Sequence, residues 1–136
     1  MRRPILTYLA TALAFCASDF VWLGFIANDF YRRQIGGLLL AEPNWIGAVL
    51  FYLLYIAGIV IFVVARVAPT GSLARAGGLG ALFGLVAYGT YDLTNLATLR
   101  GFTTAVVAAD LAWGAFVTAV GAVAGTLVAR PRMGSS

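Results

Sequence analysis

Three aspartates, Asp19, Asp92 and Asp110, lie inside long apolar stretches of the chain. A carboxylate at the centre of a bilayer costs about 2.5–3.5 kcal/mol on insertion scales. The chain has only five acidic residues, so most of its acidic groups stand where they are costly. Asp19-Phe20-Val21-Trp22 and Asp110-Leu111-Ala112-Trp113 share the pattern D-x-x-W, which puts carboxylate and indole on one helical face. Tyr88, Tyr91, Asp92 and Asn95 follow the i, i+3, i+4, i+7 spacing of a further face.

Carboxylates beside tryptophan and tyrosine rings suit the binding or transport of a small cationic or amphipathic solute, because aromatic faces attract organic cations. A proton-coupled version needs one of the aspartates to hold a proton, which burial and a neighbouring like charge favour. The same groups suit a membrane enzyme acting on a lipid or isoprenoid. One aspartate would protonate a double bond while another carboxylate stabilises the cation. The structural alternative is that Asp and Asn hydrogen-bond neighbouring helices, with Trp22 and Trp113 as interfacial anchors, in a subunit of a membrane complex.

Other chemistry is excluded by residue type. The chain has no His, and its nine basic residues are all Arg. The usual zinc, copper and haem ligand sets, the usual neutral-pH base and Schiff-base chemistry are therefore missing. Three Asp and Asn95 offer oxygens to a hard cation, but their spacing matches no metal motif, and no metal is expected. Gly77-Gly78-x-Gly80 sits in an apolar run and reads as helix packing, so no nucleotide cofactor is expected. The net charge of +4 comes from single and paired arginines with no basic face, which argues against nucleic acid. Cys16 is the sole cysteine and forms no internal disulfide.

The elements that would position these groups are membrane helices. The chain is 62% hydrophobic and 10% charged over 136 residues. Soluble domains carry about 25% charge. The expectation is a single-domain, all-α integral membrane protein, a compact bundle of four transmembrane helices. The spans fall at about 5–27, 45–65, 76–99 and 105–129, each near the ~20 residues a bilayer requires. Met1-Arg2-Arg3 before an apolar run resembles a signal peptide, but the run continues past Asp19, and the first span is read as retained. Residues 28–44 form the longest connection, where the apolar 35–40 segment is expected to lie in the interface or fold back as a short helix. Residues 130–136 read as a disordered tail. Six arginines on the side of the termini against three on the other put both termini in the cytoplasm.

With that topology Asp19 lies ~21 Å and Asp92 ~24 Å from the inner ends of their spans, and Asp110 ~8 Å below its outer end. All three share one outer layer. Asp19, Trp22, Tyr88, Tyr91, Asp92, Asn95, Asp110 and Trp113 are the expected ligand-binding residues. Gly77, Gly80 and Gly84, facing Gly114, Gly121 and Gly125, are expected to clasp the third and fourth spans near the cytoplasm. Bulkier groups would hold those spans apart as an outward-facing pocket. The D-x-x-W pair extends to Phe25 and Phe116, a pattern shared by an inverted two-helix repeat, but three matching positions are weak and favour chance similarity between apolar helices. Membrane lipids, a small-molecule or lipid ligand, and a second copy of this small chain complete the expected partners.

The run Tyr88-Gly-Thr-Tyr-Asp-Leu-Thr-Asn-Leu-Ala-Thr-Leu-Arg-Gly101 is distinctive. Together with Asp19-x-x-Trp22-Leu-Gly24, Phe30-Tyr31, Ile35-Gly36 and Asp110-Leu-Ala-Trp-Gly114, it resembles a family of small bacterial membrane proteins, domain of unknown function 2177. Phe102-Thr103 departs from the Trp-Pro expected after the glycine and leaves the aspartates untouched. The resemblance implies a multi-pass protein of the bacterial inner membrane and assigns it no activity.

Overall fold

The computed structural model describes residues 3–131, and every regular element among them is helical. The helices are α1 (Pro4–Ile26), α2 (Asn28–Ile35), α3 (Trp45–Val67), α4 (Leu73–Thr98) and α5 (Thr104–Ala129). The four long ones coincide, as helices, with the expected segments to within a turn. Residues 132–136 of the expected tail, with Met1 and Arg2, lie outside the described residues. Arg130 is held, its Nη1 donating to the Gly71 carbonyl at 3.4 Å.

Local chemistry sets the boundaries. Asn44, Ser72 and Thr103 cap α3, α4 and α5, each side-chain oxygen accepting from the backbone N–H three residues on at 3.2 Å. The turns before α4 and α5 pass through Gly71 (φ 68°) and Gly101 (φ 89°), a region glycine enters without penalty. In the long connection the helix falls on residues 28–35 rather than on the apolar 35–40 segment. Gly36 and Gly37 disfavour helix beyond a single 3₁₀ turn, Gly36–Leu38.

Helices α1, α3 and α5 are long and apolar enough to cross a membrane. Helix α4 equals α5 at 26 residues but is more polar. Its threonine hydroxyls are satisfied internally: Thr90 donates to the Val86 carbonyl at 2.6 Å and Thr98 to the Thr94 carbonyl at 2.8 Å. Helices α1 and α3 each contain one π-turn, Trp22–Ile26 and Val60–Val64. In the first, the Ala27 N–H reaches the Trp22 carbonyl at 2.7 Å.

Helix α5 is the centre of the bundle. Its contacts with α4 advance four residues at a time in opposite directions along the two helices. Gly80 meets Ala122, Gly84 meets Thr118, and Tyr88 lies on Gly114. A second face of α5 carries Gly121 and Gly125, which lie against Thr11 and Phe15 of α1. This corrects the expected clasp: Gly121 and Gly125 admit α1, while Gly114 alone of the α5 glycines faces α4. The contact with α4 follows the four-residue row Gly114, Thr118, Ala122, which winds about 40° round α5 per step, so at the level of Gly121 and Gly125 the direction that Gly114 points in is left to α1. Gly77 makes only ordinary contact, its nearest neighbour being Val123 at 3.8 Å from an added Cβ. Thr7, Thr11, Phe15 and Asp19 are the buried stripe of α1. Phe15, Tyr55, Ile59, Val64, Val117 and Ala122 form the main core. A smaller core of Ile35, Phe102, Val106 and Val107 pins α2 to the start of α5.

An added Cβ at Gly84 would overlap the Gly114 carbonyl, whereas nothing lies within 4 Å of one at Gly78. Gly84→Ala is therefore expected to cost about 1–3 kcal/mol by overpacking. Gly78→Ala, in the same helix, should be neutral or stabilise by up to about 1 kcal/mol. Denaturation of the purified variants in detergent measures both.

Candidate functional site

The polar and aromatic groups gather at the end of the bundle where α1 turns into α2 and α4 into α5. Asp19 is 7% exposed and fully engaged. Tyr52 of α3 donates to its Oδ2, and Trp113 Nε1 of α5 donates to its Oδ1 at 2.9 Å. Both donors are neutral, so the carboxylate is solvated by hydrogen bonds that stand in for water.

The two D-x-x-W motifs meet directly. Trp22 and Trp113 stack with ring centroids 4.7 Å apart and planes within 7°. Trp22 Nε1 donates to Tyr31 Oη at 3.1 Å, and that hydroxyl donates to Asp110 Oδ1. Each tryptophan thus reaches the aspartate of the other motif, one directly and one through Tyr31. The π-turn that starts at Trp22 is the local device that carries α1 into α2 and brings Tyr31 back over the site. Burial first, then the bond to Asp110, raises the Tyr31 phenol above its usual range. It therefore stays a proton donor.

Asp92 is 0% exposed, and neither of its oxygens meets a hydrogen-bond donor. The α4–α5 register explains its neighbour. One four-residue step beyond the contact of Tyr88 with Gly114, Asp92 comes opposite Asp110, at hydrogen-bonding range.

A cleft of about 600 Å³ lies against this cluster. Asp19, Trp22, Tyr31, Tyr88, Tyr91, Asp110 and Trp113 line one side. The connecting segment supplies Asn28, Arg32, Ile35, Leu38, Leu39 and Leu40 to the other. A second cavity of about 410 Å³ lies between α3 and α4, lined by Phe51, Ala87, Tyr88, Tyr91 and Asp110. Tyr88, Tyr91 and Asp110 border both spaces.

Of the eight expected site residues, six line the cleft: Asp19, Trp22, Tyr88, Tyr91, Asp110 and Trp113. Asp92 lies buried beside Asp110, and Asn95 falls outside both linings, within reach of the Tyr91 hydroxyl. Tyr91 is 58% exposed, its ring edge-on to Phe102. Tyr31 and Arg32 also line the cleft, although neither is among the expected site residues. Their signal was the short amphipathic run after Trp22, whose polar and aromatic residues sit too close in sequence to the first span to lie far from its end. Tyr52 emerges as a partner of Asp19.

A family model described as "Predicted membrane protein (DUF2177)" matches residues 4–127. No curated protein and no solved structure matches the chain.

Trp113→Phe would leave Asp19 Oδ1 without its donor and break the indole pair. The expected cost is about 1–3 kcal/mol, the usual penalty for a buried acceptor left unmade. Equilibrium unfolding measures that loss. Circular dichroism should also show an exciton couplet from the stacked indoles that vanishes in this variant.

Proposed function

The chain belongs to the DUF2177 family of predicted membrane proteins, and on that footing we propose that it binds or transports a small cationic or amphipathic solute. The observation that carries this reading is the cleft itself, with Asp19, Asp110 and stacked indoles on one side and Leu38–Leu40 on the other. Its volume of about 600 Å³ falls in the roughly 300–1,000 Å³ range typical of small-molecule sites. A headgroup or organic cation would face Asp110, Tyr88 and Tyr91, and its apolar part the leucine wall. The second cavity, between α3 and α4, gives such a solute a side entrance from the lipid. A membrane enzyme acting on a lipid or isoprenoid is the second reading. It is favoured by two neighbouring carboxyls in unlike surroundings, Asp92 sealed and Asp110 at the cleft, a pairing suited to acid–base work.

The proposal places residues 1–129 in a bacterial inner membrane as one four-span domain with both termini cytoplasmic and the cleft facing out. Support for a spanning α4 comes from its 26-residue length and from threonines bonded back to their own helix, since lipid offers no partner for a free hydroxyl. Membrane lipid would cover exposed apolar side chains such as Leu54, Ile5 and Phe25. Self-association of the bundle is part of the same proposal.

Two outcomes are expected. Ser72→Cys, in a chain whose Cys16 is replaced by Ser, should resist an impermeant maleimide applied to spheroplasts, while Thr103→Cys should react. The reverse pattern would invert the topology. In nanodiscs, the lipophilic cation tetraphenylphosphonium should bind, and neutral triphenylphosphine oxide should bind far more weakly. Asp110→Asn should weaken the cation about tenfold, or ~1.4 kcal/mol. Equal binding of cation and neutral compound would remove the charge-based reading, and new products from a lipid extract would favour the enzyme.

A further inference from the structure

We infer that Asp92 and Asp110 hold one exchangeable proton between them, delivered to and taken from the cleft through Asp110. Asp92 has 0% exposure, and both of its oxygens lack a donor. A buried carboxylate with no cation and no hydrogen bond is strongly disfavoured. Its neighbour across the helix contact is the carboxyl of Asp110, an acceptor. Two carboxyl groups at that range repel when both are ionised and form a short, strong bond when one proton lies between them. The pair therefore resolves as a carboxylic acid on Asp92 donating to the carboxylate of Asp110.

The surroundings fit one proton and no more. The titratable groups facing Asp92 are Tyr31 from α2, Tyr91 from its own helix and Asp110 from α5. Asp19 on α1 acts instead on Tyr52 and Tyr88. Tyr31 already spends its hydroxyl proton on Asp110 Oδ1, so it has none for Asp92. Among the described residues no arginine supplies a countercharge to Asp92, whose oxygens are without a partner.

Asp92 reaches neither cavity lining, whereas Asp110 borders both. The route for the proton is thus from Asp92 to Asp110 and from Asp110 to water or solute in the cleft. No bond other than O–H is made or broken, and the departing proton leaves one negative charge more on the pair. The arrangement does not depend on which solute the cleft accepts. It makes charge at the cleft wall a function of proton occupancy inside the α4–α5 contact.

Infrared spectroscopy on the full chain in lipid nanodiscs tests this without any ligand. At neutral pH the wild type should show a protonated-carboxyl C=O band that shifts on transfer to heavy water and bleaches as pH is raised. Asp92→Asn, which keeps the shape of the protonated acid, should remove the band. Asp29→Asn, on the exposed face of α2, should keep it. Absence of the band at neutral pH would overturn the inference, as would its survival in Asp92→Asn. A band untouched by heavy water would overturn the route through Asp110. Should Asp92→Asn fail to fold, the wild-type titration and the heavy-water shift decide the matter by themselves.

Discussion

The close approach of α4 and α5 is the constraint on which the rest of this structure depends. Two backbones come together at Gly84 and Gly114, where a side chain on either would collide with the other helix. In lipid, apolar side chains gain little by leaving their surroundings, so packing at close range has to supply what burial supplies in water. Once that contact is fixed, antiparallel geometry fixes what lies beyond it. A step of four residues on each helix takes Gly84 and Thr118 to Tyr88 and Gly114, and a further step takes them to Asp92 and Asp110. The carboxyl pair is a consequence of where the glycines sit.

The same helix α5 turns a second glycine-bearing face to α1. That contact sets the depth of α1, so that Trp22 meets Trp113 in a stack and Asp19 receives the Trp113 indole N–H. The two D-x-x-W motifs then brace each other. Asp19 is satisfied by neutral donors and behaves as a structural anchor, while Asp110 remains at the cleft wall. Asp92 is left with no donor among the described residues. Three aspartates of one residue type and similar depth thus have three different situations, and only their partners distinguish them.

Much of this was legible in the sequence. The number, type and limits of the long helices follow from apolar runs interrupted by Pro69, Gly71 and Gly101, because main-chain hydrogen bonds must be satisfied internally in an apolar medium. Six of the eight residues expected together line one cleft, because antiparallel helices of similar length leave few choices of level along the bundle. The family resemblance carried by Tyr88–Gly101, Asp19–Gly24 and Asp110–Gly114 agrees with the match over residues 4–127.

The tertiary structure alone decided the pairings. Helical phase shows that Gly114, Gly121 and Gly125 lie on a small-residue stripe, but it does not show which neighbour each admits. Tyr31 could not be placed from spacing, because it follows the π-turn Trp22–Ile26, whose i→i+5 bond adds a residue to the turn and is marked by no residue type. Whether an aspartate is satisfied or stranded depends on donors from other helices, which a one-dimensional pattern does not contain. The sequence by itself determined that costly carboxylates occupy apolar helices, since composition and length fix that. Which of them is bonded, which lines the cleft and which is buried without a donor was settled only when the helices packed.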